Sequence, residues 1–298
     1  MKQLYLIAPS WPIPIEKVNL TKLYLESLGR KVILPADLFG EDLLCANTDA
    51  GRFSHLKEAL TSDADEIMAI IGGYGLTRLM PALLSLPKPG KAKVMYGFSD
   101  ITALHIFLNQ FWNWPTVHGP CGVGLINEKA DKVSIARTVR IMNEGLSAYE
   151  LPELIPLNLV ATSITDVLGE VVGGNLCLVQ TSLGTPWQLN TRDKILFLED
   201  VSERGYRIDR MLNHLEQAGL FQGIKAVLFG EFTKGNEPNG LNLVGDVLQA
   251  FAKAMSFPIF QLSGCGHGLQ NYPIPFNFTI NLKVRRQENN SIYTLGSS

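Results

Sequence analysis

Gly97-Phe98-Ser99-Asp100 closes an apolar run and opens a segment with near-helical apolar spacing. A serine at a sharp strand-to-helix corner can hold its hydroxyl clear of a sheet, while the N–H groups of the new helix point toward developing negative charge. The chemistry served is nucleophilic acyl transfer. The G-x-S-x-G pattern is only half matched, because Ile101 takes the place of the last glycine, and a plain helix N-cap is the competing role. A second corner, Ile70-Ile71-Gly72-Gly73-Tyr74-Gly75, ends another apolar run. Its glycines let backbone approach a ligand, so it could supply an oxyanion-hole N–H or be a tight turn only. A nucleotide loop is disfavoured there: Arg78 sits where G-x-G-x-x-G needs its third glycine, and the sequence has no G-x-x-x-x-G-K-[ST].

A serine near neutral pH needs a base, usually a histidine that a carboxylate holds in the right tautomer. His55 and His214 fall inside helical patterns, and His105 lies in the segment after Ser99, more than a turn away. His118, in Thr-Val-His-Gly-Pro, ends a candidate strand and would reach the same sheet edge as Ser99. His267 sits in the glycine-flanked loop Gly-Cys-Gly-His-Gly. Spacing leaves both open. Glu199 and Asp200 end the apolar run of residues 194–200, where a charge needs a partner; an ion pair with Arg204, Arg207 or Arg210 is the alternative to a catalytic role. The order Ser99, Glu199, His267 is that of α/β-hydrolases, although triad order does not transfer between folds.

The elements that must position these groups alternate along the first half. Strands are predicted at 4–9, 31–35, 66–72, 93–98 and 116–119, with amphipathic helical segments such as 16–29 between them. That alternation argues for a parallel sheet covered by helices, with its ligand site at the carboxyl ends of the strands. The pattern weakens between about 145 and 168, and we expect a first domain over 1–150, a linker over 151–168 and a smaller mixed α/β domain over 169–298. In the latter, strands at 194–200 and 225–232 flank a helix at 207–220, and 276–284 alternates like one half-exposed strand.

At 298 residues the chain exceeds the size at which one core usually stops growing, which favours two domains. The formal charge of -2, from 26 basic and 28 acidic residues, gives no footprint for nucleic acid or an anionic membrane, so the expected partner is small. No 18-residue apolar span and no signal-like start occur, pointing to a cytoplasmic protein. Cys45, Cys121, Cys177 and Cys265 are widely spaced with no C-x-x-C pair, so free thiols are expected and no metal is implied.

Taken together, the segments LIAPS, GGYGLTRL, YGFSDITAL, HGP, VVGGNLCLVQTSLGTPW, LFLEDVSERGYRIDRML and GHG resemble the LD-carboxypeptidase family, serine peptidase family S66. The family also includes microcin-immunity hydrolases. The resemblance implies a flavodoxin-like or glutamine-amidotransferase-like N-terminal domain bearing the nucleophile, and a C-terminal domain supplying the acid and histidine. It implies a triad of Ser99, Glu199 and His267, choosing His267 over His118, and oxyanion donors at the backbone N–H groups of Gly73 and Asp100. The implied reaction releases terminal D-alanine from a murein tetrapeptide by cleaving an L,D-peptide bond, with no cofactor and in a homodimer. Tyr74, Arg78, His118, Gly174, Asn175, Trp187, Arg204 and Arg207 are the further substrate-binding candidates, the arginines for a free carboxylate. Ile71 departs from the arginine the family commonly carries before Gly-Gly-Tyr-Gly.

Overall fold

The computed structural model of the chain describes residues 1–126, 131–287 and 290–297. The five apolar runs of the first half form strands β1 (Gln3–Ile7), β2 (Lys31–Ile33), β3 (Glu66–Ala69), β4 (Val94–Gly97) and β5 (Thr116–His118). They pair in parallel in the order β2-β1-β3-β4-β5. Every residue of β3 is buried, which is why it reads as an unbroken apolar run apart from Glu66. The winding reverses between β1 and β3, and a sheet of this order takes its ligand in the crevice outside the carboxyl ends at that point.

The rest of the chain supplies β6 (Ile155–Pro156), β7 (Val167–Asn175), β8 (Ile195–Val201), β9 (Ala226–Thr233), β10 (Ile259–Gly266), β11 (Ile274–Phe276), β12 (Thr279–Gln287) and β13 (Asn290–Ser297). The second sheet has the order β13-β12-β7-β8-β9-β10-β6, with β7 to β10 parallel and the outer strands antiparallel. The fold is therefore α/β, with a parallel-rich N-terminal sheet and a mixed C-terminal one.

Two details differ from the sequence reading. Ile155 and Pro156, inside the stretch read as linker, pair with Gln261 and Phe260 of β10. The expected single strand over 276–284 breaks at Asn277, whose φ of 52° lies in the left-handed region that asparagine tolerates better than most side chains. On one side of the break β11 pairs antiparallel with β5 of the first sheet; on the other, β12 pairs with β7 of the second. One core cluster accordingly joins Tyr5 and Leu104 to Leu196 and Phe229, and another joins Leu4 and Val117 to Phe197 and Phe260. The two halves share their apolar interior.

Candidate active site

β4 ends at Gly97, and Ser99 begins a 3-10 turn (Ser99–Ile101) that continues as the helix Thr102–Phe107. Ser99 holds a φ of 65°, a conformation rare for a non-glycine residue and common where structure is set for function. Its surroundings explain how the corner closes without a second glycine. A Cβ on Gly97 would stand 2.9 Å from Ile101 Cγ1, so the bare Gly97 leaves the room that Ile101 fills. From the other side a Cβ on Gly72 would stand 2.8 Å from Ser99 Cβ, so the Gly72–Gly75 loop touches the elbow directly. The carbonyl of Gly97 accepts a hydrogen bond from Gly119 N–H at 3.1 Å and lies 2.9 Å from His105 Nε2, which fixes the corner to β5 and to its own helix.

Asp100 is buried and joins the two corners. Its Oδ2 accepts from the Ser10 hydroxyl at 2.6 Å and from Leu76 N–H at 2.9 Å, so the loop after β3 is held against the Ser99 elbow by one carboxylate. Burial pushes this carboxyl above its ordinary range, opposed by those hydrogen bonds and by the Arg52 charge.

The second sheet brings up the other pair. Glu199 is fully buried near the carboxyl end of β8, and its Oε2 lies 2.6 Å from Nδ1 of His267, just beyond β10. Both strands are irregular here. Against β9 the register slips between Leu198 and Asp200 on β8, and between Gln261 and Gly266 on β10. Such bulges re-aim side chains at the ends of strands. Gly266, with φ of 131°, has no space for a side chain: a Cβ would meet Glu199 Oε2 at 2.8 Å. Burial opposes a charge on the imidazole, but the Glu199 charge and hydrogen bond, with Asp200 behind them, outweigh it, and the His267 pKa lies above the ordinary imidazole value.

Ser99, Gly72, Gly73 and Phe98 of the first half face Val201, Gly266 and His267 of the second across one cavity of about 570 Å³. Phe98 packs on the His267 ring, with centroids 4.7 Å apart. Trp11 and Ile71 complete the wall on the side of β1 and β3, the reversal point of the first sheet. Trp11 belongs to the site though the sequence reading passed over it; only the fold brings it to the glycine loop, where a Cβ on Gly73 would stand 2.3 Å from its Cγ.

The remaining candidates go elsewhere. His118 is fully buried, with both ring nitrogens unpartnered and its ring against Phe197 and Phe276, so it reaches the sheet edge but not the cavity. Arg78 pairs with Asp49 and Asp42, Arg204 with Glu237, and Arg207 with Glu203. Trp187 is packed in the core, and Tyr74 is exposed without lining the cavity. Gly174 and Asn175 lie at the junction of the halves, where a Cβ on Gly174 would meet Thr102 Oγ1 at 2.5 Å. The ion pairs with Arg204 or Arg207 that were the alternative to a catalytic role for Glu199 and Asp200 are not made, since those arginines pair with Glu237 and Glu203. Asp200 accepts instead from Asn175 and backbone N–H groups. Among the described residues no group of three or more His, Cys, Asp or Glu side chains is arranged to hold a metal ion, and no helix is long and apolar enough to cross a membrane.

Comparison with known proteins matches the same two halves. Residues 4–119 match the LD-carboxypeptidase N-terminal domain and residues 168–282 the LD-carboxypeptidase C-terminal domain. The chain is 34% identical over 233 residues to a probable murein peptide carboxypeptidase of Bacillus subtilis, covering 76% of this chain and 70% of that one. It is 27% identical over 291 residues to the murein tetrapeptide carboxypeptidase of Pseudomonas aeruginosa, covering 94% and 93%. Among solved structures, the muramoyltetrapeptide carboxypeptidase of Oxalobacter formigenes superposes with a TM-score of 0.77 at 25% identity, covering 98% of this chain and 99% of that one.

Proposed function

We propose that this chain, which belongs to the LD-carboxypeptidase family, hydrolyses the L,D-peptide bond of a murein tetrapeptide and releases terminal D-alanine through an acyl-enzyme on Ser99. The observation that carries the reading is the buried Glu199–His267 pair at 2.6 Å on the wall of the cavity that Ser99 also lines. With Nδ1 committed to Glu199, Nε2 of His267 is the nitrogen free to take the Ser99 proton as the hydroxyl attacks the scissile carbonyl. The imidazolium so formed is stabilised by Glu199 and hands its proton to the leaving amine of D-alanine. Water, deprotonated by the same ring, then cleaves the ester. The N–H groups of Gly73 and Asp100 serve the oxyanion, the first on the loop that Asp100 braces and the second at the start of the elbow helix. The same reading includes a cytoplasmic homodimer, checked by sedimentation and by fractionation of cells.

The test is D-alanine release from defined tetrapeptides by the native chain and by Ser99→Ala. Loss of a nucleophile from a serine triad costs about 10⁶ in turnover in subtilisin, so S99A should approach background while remaining folded. Unchanged turnover in S99A removes the proposal. Preferential cleavage of an acyl-sulfamoyl adenylate would move the substrate to the microcin-immunity class, and binding without labelling by a serine-directed reagent would replace catalysis with simple ligand binding.

A further inference from the structure

The Gly173-Gly174-Asn175 segment at the end of β7 is bonded to both halves of the site. The backbone N–H of Asn175 donates to Thr102 Oγ1 at 3.0 Å, and Thr102 opens the helix that carries the Ser99 elbow. The Asn175 side chain donates through Nδ2 to Asp200 Oδ1 at 3.0 Å. Asp200 follows Glu199, and Asn175 lies directly opposite Glu199 in the β7–β8 pairing. Two backbone donors fix the Asp200 carboxylate further: Cys177 N–H on Oδ2 at 2.9 Å and Val201 N–H on Oδ1 at 2.7 Å.

All four side chains are shut away from water: Thr102, Asn175, Glu199 and Asp200 are each at most 4% exposed. The two glycines permit the approach, since a Cβ on Gly173 would fall 2.1 Å from the Phe197 carbonyl oxygen. On the β9 side the register slips at Glu199, so regular pairing holds that residue only from the β7 side, through Asn175. Asn175 also caps the helix Leu176–Ser182, its Oδ1 accepting from Leu178 N–H at 3.3 Å, so the buried Asp200 carboxylate ties that helix start, the end of β7 and its own strand β8 together beside Glu199.

We infer that Thr102, Asn175 and Asp200 form a positioning unit that sets the Ser99 elbow and the Glu199–His267 pair in register across the junction of the two halves. The inference rests on the serine-hydrolase reading above. None of the three touches the reacting atoms in this assignment; each acts through the elements that carry them.

The experiment compares native protein with T102V, T102S, N175A, D200N and N175A/D200N, all checked for folding by near-ultraviolet circular dichroism at the assay temperature. Two readouts are taken: D-alanine release, separated into kcat and KM, and the rate of Ser99 labelling by a fluorophosphonate. Misplacing reacting groups by about 1 Å can cost about 10²-fold, so T102V, N175A and D200N should each lose about 10- to 100-fold in kcat, with KM within about twofold and labelling falling in parallel. T102S, which keeps the acceptor oxygen, should stay within about threefold of native. N175A/D200N should be no more than about threefold worse than its worse parent, because the two side chains share one hydrogen bond. Folded variants with native kcat and native labelling would overturn the inference, as would a loss confined to KM. If D200N fails to fold, the contrast between T102V and T102S decides. A native protein labelled at Ser99 but inactive on every tetrapeptide would sink the substrate assignment instead, and the labelling rates would still judge the positioning unit.

Discussion

Replacing Glu199 by glutamine retains the shape of a fully buried side chain and removes its charge. In the native site the carboxylate meets Nδ1 of His267 at 2.6 Å, with only 15% of the imidazole exposed. A hydrogen bond to a charged group contributes about 1.5–3 kcal/mol, and here it strengthens as His267 becomes a cation in the transition state. At about 1.4 kcal/mol per decade, E199Q should lose about 12- to 140-fold in kcat from this alone. A further loss follows if the new amide donates to Nδ1, because the ring proton then sits on the nitrogen that must accept from Ser99; the equivalent change in the serine-protease template cost about 10⁴.

The pH dependence carries the sharper sign. His267 must be neutral to act as base, and its pKa lies above the ordinary imidazole value: burial lowers it, but the Glu199 charge and hydrogen bond raise it more. The native kcat/KM should therefore fall on the acid side through a pH above the usual imidazole range, and the fall should move to lower pH in E199Q, where burial dominates. The same linkage fixes the effect on stability. A pKa raised by folding contributes stability that is complete below the unfolded imidazole pKa and fades as pH rises through the folded value. E199Q should thus lose more stability at pH 5 than at pH 9 in urea unfolding. A kcat within twofold of native at pH 8, with the acid limb unmoved, would refute the assignment of His267 and Glu199 as base and orienting acid.

G266A places a Cβ 2.8 Å from Glu199 Oε2 at a φ of 131°, and should cost about 1–3 kcal/mol in urea unfolding together with at least about tenfold in kcat. G145A, at a φ of 95° with open space around its Cβ, should show the stability loss alone. Trp11 is half exposed on the cavity wall while Trp112, Trp114 and Trp187 are buried, so ligand binding should change the intrinsic fluorescence, and W11F should abolish that change; a change that survives in W11F would place the ligand elsewhere. Among the described residues lining the cavity there is no lysine or arginine, and Ile71 occupies the wall. I71R should lower KM for a tetrapeptide with a free terminal carboxylate and not for its C-terminal amide; equal effects on both would show that the new charge does not meet that carboxylate.

The features legible in the sequence were those set by local chemistry. β1, β3 and β4 announce themselves because strands buried on both faces are apolar almost throughout, and Ser99 stands out because a serine between Gly97 and a helical segment has few ways to fold. Glu199 was visible as a charge at the end of an apolar run and His267 as a histidine among glycines, although the residues alone left His267 level with His118 and only the family resemblance chose between them. The surroundings of His118 and the arginines were not legible, for the opposite reason. Their fates depend on what arrives from far along the chain: Phe197 and Phe276 over His118, Asp49 beside Arg78, Glu237 beside Arg204.

Distance along the chain also hides the role of Gly173-Gly174-Asn175, of which the sequence offered Gly174 and Asn175 only as substrate-binding candidates. Glycine pairs report that something comes near, without naming it; only the register of β7 against β8 puts Asn175 across from Glu199, and only the shared core puts Thr102 above it. Asn277 is the corresponding case in the backbone. A strand-like run with two asparagines looks continuous, yet the left-handed turn at the first of them sends β11 to the first sheet and β12 to the second. Relative placement of the elbow and the Glu199–His267 pair thus depends on long-range ties, among them β11 on β5 and Asn175 on Thr102, and on the core that both halves share; separating the halves would open that core and remove the geometry on which the proposed chemistry depends.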